Sequence, residues 1–253
     1  MSDRLVLIPV HNEAAHIRPI LAELRRYYPG AVLFVEDGST DGSRQVLEGL
    51  TDENVSVILH DKNLGYGSSL IDGFGFALDR RFAALVTMDC DWQHEPAYVP
   101  RFFEELELGL PRATLSAARG SRVDVISGSR YLEESPGNNS APEDRSAINH
   151  RITELLRGLT PYQISDSFCG FKAYRVEALR GLCLNEPGYG FPVQFWMQAA
   201  KHNLTCKEIP VPRLYLDLAR AFGGSLDDPE IRLTYYLSLI EKEKAEWNVA
   251  SQS

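Results

Sequence analysis

Positive charge is in short supply in this chain. Over 253 residues, 26 lysines and arginines stand against 35 aspartates and glutamates, giving a formal net charge of −9 and a pI near 5.2. No basic stripe is available to neutralise a run of phosphates, which excludes a nucleic-acid binder. Cysteine is scarce as well. Cys90, Cys169, Cys183 and Cys206 show no paired spacing, so neither a zinc site nor a disulfide framework is suggested, and reduced thiols fit best. Long hydrophobic runs are missing: none approaches the roughly 18 apolar residues that span a bilayer, so any membrane contact is expected to be peripheral. Met1-Ser2-Asp3-Arg4 leads straight into a strand pattern without signal-peptide character. The expected location is the cytoplasm, with peripheral contact at the inner face of the membrane as a further expectation. No internal repeat is visible.

What the chain does have is an ordinary globular composition, 44% hydrophobic and 24% charged, and enough length for one large α/β domain with a full core. Residues 5–10, Leu-Val-Leu-Ile-Pro-Val, form a continuous apolar run of the kind buried on both faces of a parallel sheet. The run breaks at His11-Asn12-Glu13, and Ile17, Ile20, Leu21 and Leu24 then recur at helical spacing. A second strand, 31–35, closes in Glu36-Asp37-Gly38-Ser39-Thr40-Asp41-Gly42-Ser43, whose glycines and capping side chains lead into a helix with Val46, Leu47 and Leu50. A third, 55–59, leads through Asn63-Leu64-Gly65-Tyr66-Gly67 into a helix carrying Leu70, Phe74 and Leu78. Strand and helix thus alternate through three units, which predicts right-handed crossovers and a parallel sheet. Each strand also ends in polar or glycine-rich residues on the same predicted edge.

The fourth strand, from Ala83 to Met88, stops abruptly at Asp89-Cys90-Asp91-Trp92-Gln93-His94-Glu95-Pro96. The carboxyl ends of the strands form the ligand crevice of an open α/β sheet, so these acids are expected at its floor. Alternation along an extended segment sends Asp89 and Asp91 one way and Cys90 the other. Two hard oxygen ligands on one side suit Mg²⁺ or Mn²⁺, which keep waters and take their remaining ligands from substrate phosphates. A solvated turn after a strand is the alternative for an isolated Asp-x-Asp.

Downstream, the pattern predicts a helix over 100–108, a strand over 123–131, and a mobile surface loop over 133–144 beside the site. A helix with Ile152, Leu155, Leu156 and Leu159 facing inward is expected over 148–159, and the polar-aromatic segment 166–174 precedes a helix through Val176, Leu179 and Leu182. An aromatic-rich helix over 191–202 is followed by an edge strand over 207–211, where Pro210 is tolerated. The expected division is a catalytic domain over 1–226 and a C-terminal amphipathic helix and tail over 227–253, packed on the same domain. Leu233, Tyr235, Tyr236, Leu237, Leu239 and Ile240 supply that helix with an apolar face, for the core by preference or for a bilayer surface.

Six landmarks in order, Pro9-Val10-His11-Asn12-Glu13, 36–42, Asn63-Leu64-Gly65-Tyr66-Gly67, 88–94, Gly128-Ser129-Arg130-Tyr131 and Ser167-Phe168-Cys169-Gly170-Phe171-Lys172, resemble those of the family-2 glycosyltransferases of the GT-A fold. The closest likeness is to the dolichyl-phosphate mannose synthase-like branch, with weaker echoes at 188–191 and 220–223. The resemblance implies a Rossmann-like, mostly parallel central sheet flanked by helices in a single domain. It implies a metal-dependent inverting transferase moving a sugar from a nucleotide-sugar of the GDP-mannose or UDP-glucose type to polyprenyl phosphate. The alternative keeps the donor and uses a saccharide or small hydroxyl acceptor. Pro9, Asn12 and Glu13 would line the base and ribose pocket, although a helix entry explains Glu13 equally well. Asp37 would accept from the base or ribose, with Gly38 allowing close approach, and Glu36, where the family more often carries Asp, could accept the same hydrogen bond through one extra methylene. Asn63 and Gly65 would pack against the nucleotide. Asp89 and Asp91 would hold the Mg²⁺ or Mn²⁺ that bridges the diphosphate, and His94 would complete the shell or touch the acceptor. Arg130 is a candidate phosphate clamp, with a surface ion pair as the alternative, and Arg220 echoes a basic residue near the acceptor.

A phosphate acceptor is already ionised near neutral pH and needs positioning and charge neutralisation only. A hydroxyl acceptor needs a base, for which Asp166 is the first candidate, then His94 and Glu95. A nucleotidyltransferase would want a glycine-rich loop with a basic residue near the N-terminus, which residues 9–13 do not offer.

Overall fold

The computed structural model describes residues 3–109, 122–132, 143–214 and 224–250. Among them are seven strands: β1 (Arg4–Val10), β2 (Ala31–Asp37), β3 (Val55–His60), β4 (Ala84–Thr87), β5 (Val125–Ser129), β6 (Lys172–Arg175) and β7 (Cys206–Pro210). The helices are α1 (Ile17–Arg25), α2 (Ser43–Glu48), α3 (Tyr66–Asp79), α4 (Val99–Leu108), α5 (Glu143–Leu159), α6 (Val176–Leu179), α7 (Phe191–Lys201) and α8 (Pro229–Ala250). All seven strands join one sheet in the order β3-β2-β1-β4-β6-β5-β7.

The apolar runs explain the centre of that sheet. Leu5, Leu7, Leu33, Val35 and Leu85 enter one buried cluster, while Val6, Ile8, Val32, Phe34 and Val86 enter another. Successive side chains of a strand point to opposite faces, so a continuous apolar run fits only where both faces are covered. β1, β2, β3 and β4 are mutually parallel, with Leu7 opposite Leu33 on one side and Thr87 on the other. Their carboxyl ends therefore share an edge.

β6 departs from the expected pattern. It runs antiparallel between β4 and β5, with Lys172 opposite both Thr87 and Ser127. Four residues carrying a lysine leave no periodic signal, and only the pairing on both sides makes the segment a strand. Because β6 runs backwards, the segment that enters it, 166–171, arrives at the edge where β4 and β5 leave. The polar-aromatic segment is thereby delivered to Asp89.

Smaller differences concern boundaries. The helix after β6 stops at Leu179, and α5 begins at Glu143, ahead of the apolar pattern. The surface-loop expectation over 133–144 falls mostly outside the described residues. β7 sits at the sheet edge beside β5, as its Pro210 requires. On α8, Tyr236, Leu239 and Ile240 enter the main core, and Leu233, Tyr235 and Leu237 pack against it. The apolar face of this helix is spent on packing.

Candidate active site

The ends of β1, β2 and β3 form one hydrogen-bonded rim. Asn12 sits in the left-handed region at φ 58° and joins the two loops, its N–H donating to Ser39 Oγ (2.9 Å) and its Oδ1 accepting from Thr40 N–H (2.8 Å). The Glu13 N–H donates to Ser43 Oγ at 2.9 Å, while its buried carboxylate accepts from His16 Nδ1 at 2.6 Å. Asn63 reaches back to His11, amide nitrogen to ring Nε2 at 3.1 Å. Gly38 and Gly65 both have positive φ, and a Cβ on either would collide with backbone, at Lys62–Asn63 and at Pro187 respectively. Only glycine allows these turns to close on one another. Pro9 is half-buried in β1, paired across from Val35.

Two acids expected to face the nucleotide face inward instead. Asp37 is 3% exposed, and its carboxylate accepts from Leu64 N–H (2.7 Å), Gly65 N–H (2.9 Å) and His60 Nδ1 (2.8 Å). It organises the loop between β3 and α3, because the turn at Gly65 aims two successive N–H groups at one carboxylate. Glu36 is 0% exposed and is held by Ser39 N–H and by Arg44 Nε at 3.1 Å. Its extra methylene lets it reach Arg44, and the expected bond to a base does not survive this burial. Arg220 lies outside the described residues.

The acids after β4 alternate as the sequence implies, with Cys90 buried between half-buried Asp89 and Asp91. Asp91 Oδ1 accepts from Gln93 N–H (3.0 Å) and Oδ2 from Gln93 Nε2 (2.9 Å), around Trp92 at φ 65°. Asp89 keeps 31% exposure of its side chain; Tyr66 OH donates to its Oδ1 at 3.5 Å. Its backbone N–H donates to His94 Nδ1 at 3.0 Å. His94 is buried and stacks on Phe171, ring centroids 4.9 Å apart. Burial drives its pKa down to about 4, against the opposing pull of Asp91, so at neutral pH the ring is uncharged. An uncharged ring whose Nδ1 accepts carries its proton on Nε2. His94 therefore supports the Asp89 backbone.

This donor set fits a hard divalent cation. Two carboxylates flank a bend at the crevice floor, and among the described residues no group of three or more His, Cys, Asp or Glu side chains is arranged to hold a metal. The protein would supply two oxygens through Asp89 and Asp91, leaving the other positions to water and diphosphate, as Mg²⁺ and Mn²⁺ prefer.

Opposite them, Arg130 leaves β5 and grips Asp166 with both arms, Nε to Oδ2 at 2.6 Å and Nη2 to Oδ1 at 2.9 Å. Asp166 is 1% exposed. Burial would raise its pKa, but the Arg130 guanidinium more than offsets this and holds the carboxyl below its ordinary value. A buried, tightly paired carboxylate whose pKa is held below its ordinary value is a poor proton acceptor, which counts against the expectation of Asp166 as general base. Glu208 supports the arrangement from β7, accepting from Ser165 N–H and Oγ (both 2.8 Å) and from Asp166 N–H (3.1 Å). Lys172 is buried and its ammonium donates to the Cys169 carbonyl, while Thr87 Oγ1 donates to the Gly170 carbonyl at 2.6 Å. Glu208 and Lys172 escaped the sequence reading as site residues, although a charged residue inside a short strand pattern is the signal that could have found them.

A mostly parallel sheet whose strand ends bring a hydrogen-bonded rim of loops beside a pair of acids is the α/β, Rossmann-like architecture of the GT-A class. The model of Glycosyl transferase family 2 matches residues 5–183, and the chain belongs to that family; it is a glycosyltransferase. It is 28% identical over 240 residues to the undecaprenyl-phosphate mannosyltransferase of Micrococcus luteus, covering 91% of this chain and 92% of that one. It is 27% identical to the polyprenol monophosphomannose synthase of Mycolicibacterium smegmatis, covering 82% and 76%. In three dimensions it resembles glucosyl-3-phosphoglycerate synthase from Mycobacterium tuberculosis in complex with Mn²⁺, UDP and phosphoglyceric acid, with TM-score 0.65, 16% identity and coverage of 95% and 78%.

Proposed function

We propose that this protein is a metal-dependent inverting glycosyltransferase that moves a sugar from a GDP-mannose- or UDP-glucose-type donor to a polyprenyl phosphate. The observation that carries the acceptor choice is the absence of a usable base among Asp166 and His94. Asp166 is sealed against Arg130, and His94 is buried and uses Nδ1 on the Asp89 backbone. A lipid phosphate attacks as an anion and asks for neither. The two polyprenol-type relatives support the same acceptor. Glu95 is exposed, so a hydroxyl acceptor with Glu95 as base is the second reading.

In this mechanism the nucleoside lies on the rim of Pro9, Asn12, Glu13, Gly38, Asn63 and Gly65. Asp89 and Asp91 are the residues that would hold Mg²⁺ or Mn²⁺, and the chemistry such an ion would supply there is Lewis-acid neutralisation of the leaving nucleoside diphosphate. Arg130, aimed by Asp166, steadies phosphate oxygens, and attack from the opposite face inverts the anomeric carbon. Arg220 is kept as a candidate contact to the acceptor phosphate. Because that acceptor lies in a membrane, the protein works there as a peripheral visitor to the cytoplasmic face. Among the described residues, no helix is long and apolar enough to cross a membrane.

Binding and slow hydrolysis of GDP-, UDP- and dTDP-sugars, with and without Mn²⁺, test the donor half. Recognition of one donor that depends on metal is the expected result. Equal recognition in the presence of a chelator would remove the cation from the mechanism.

A further inference from the structure

The function above leaves one buried titratable side chain unused. His60, at the end of β3, lies between two carboxylates: Nδ1 faces Asp37 Oδ1 at 2.8 Å and Nε2 faces Asp72 Oδ2 at 2.9 Å. It is buried, whereas Asp72, on α3, is 47% exposed at its side chain. The Arg44 guanidinium donates to the His60 carbonyl from α2, so three elements converge on this residue.

We infer that His60 is a positioning residue for the donor nucleotide, acting through Asp37. The inference rests on the nucleoside pocket proposed above. Asp37 cannot touch a ligand freely, since Leu64 N–H, Gly65 N–H and His60 already use its carboxylate. What it controls is where 63–65 lies, and Asn63 of that loop meets His11 across the pocket rim. His60 fixes the side chain of Asp37, and Asp72 fixes the ring of His60, in the way outer partners orient a ligating group. With the His60 donor removed, Asp37 loses one of three partners and can rotate away from one of the two amides. The loop then closes on a nucleotide less often, and affinity falls in proportion to the closed population.

The test is calorimetric titration of UDP and of GDP, with Mn²⁺, into the full-length wild type and three variants: His60→Leu, His60→Asn and Asp72→Asn. The asparagine at 60 can still donate to Asp37 but has no second ring nitrogen for Asp72. His60→Leu is expected to weaken the preferred nucleotide about tenfold at unchanged stoichiometry per chain. His60→Asn is expected to recover most of that loss, and Asp72→Asn to lose about threefold. Leu64 and Gly65 amide exchange in the ligand-free protein should quicken in His60→Leu and not in His60→Asn. A merely structural role lowers stoichiometry by an unfolded fraction and leaves Kd alone, which would overturn the inference. So would wild-type affinity in a folded His60→Leu. Should His60→Leu fail to fold, an unchanged Kd in both His60→Asn and Asp72→Asn with unchanged amide exchange overturns it. If the wild type binds neither nucleotide, the pocket assignment itself fails, and the inference with it; that outcome is separable because it appears before any substitution.

Discussion

His94 carries a cost that grows with acidity. Its pKa is about 4 in the folded protein against about 6.5 for a free imidazole, so the unfolded chain binds more protons between those values. Its contribution to stability is complete above roughly pH 6.5 and is lost as pH falls towards about 4, an effect on the order of 3 kcal/mol. Urea midpoints at pH 7.5 and 5 should separate for the wild type and draw together in His94→Phe, which keeps the stack on Phe171 without a titrating ring. Equal acid sensitivity in the two proteins would contradict the assignment. Asp166→Asn gives a complementary prediction. Removing the charge leaves Arg130 half-buried with a weakened partner, and breaking such a pair costs about 3–5 kcal/mol. A positioning role predicts that loss of stability, read from denaturant unfolding, together with a raised KM for donor or acceptor. Full stability with turnover abolished would restore Asp166 as the base.

Among the elements, α8 carries more than its sequence pattern suggests. Glu243 is buried and accepts from Gln194 Nε2 (2.7 Å) and Gln198 Nε2 (2.6 Å) on α7, while Tyr235 OH donates to Glu186. The 183–190 segment so anchored meets the start of α3, where Pro187 accepts from Ser68 N–H at 3.0 Å and Tyr189 stacks on Tyr66. Glu243→Ala takes the Glu243 acceptor from Gln198 Nε2 and leaves Gln194 Nε2 with Asn185 Oδ1 alone, and should destabilise by about 1–3 kcal/mol, measured by urea unfolding. A change within 0.5 kcal/mol, the usual range for surface sites, would show that the network is replaceable. The sequence spoke clearly about elements that bury both faces. β1, β2 and β4 are legible because each rests on an unbroken apolar run, and the packing of α8 because Tyr236, Leu239 and Ile240 recur at helical spacing; β3, interrupted by Ser56 and only partly buried, is read from its β-branched residues and the turn that follows. β6 was silent, since four residues with a lysine among them become a strand only through neighbours distant in sequence.

Taken whole, the molecule gathers the candidate site at one sheet edge, and the two halves of that site were legible to different degrees. The placement of Asp89 and Asp91 could be read from the chain because it is local: a strand stops and two acids follow. The partners of Asp37, Glu36 and Asp166 could not, because each is decided by how a different element packs: Leu64 and Arg130 lie far away in sequence, and Arg44 is brought to Glu36 by the packing of α2 on β2. Those partnerships occupy the carboxylates of two expected nucleotide contacts, Asp37 and Glu36, and of one expected base, Asp166. They also leave Asp89 and Asp91 as the acids on which turnover should depend. Asp91→Asn is expected to unfold like the wild type and to lose turnover by at least about a hundredfold, checked by donor consumption at saturating Mn²⁺. Normal activity in that variant would end the metal role.

The most direct measurement is sugar transfer itself: radiolabelled GDP-mannose or UDP-glucose, Mn²⁺, and undecaprenyl phosphate in detergent, set against a panel of free sugars as acceptors. Label is expected in a glycosyl-phospholipid of inverted anomeric configuration, none with EDTA present, and none in the free sugars. Label in a free sugar with the lipid phosphate left untouched would contradict it, and would turn attention to Glu95 as the base of a hydroxyl-directed enzyme.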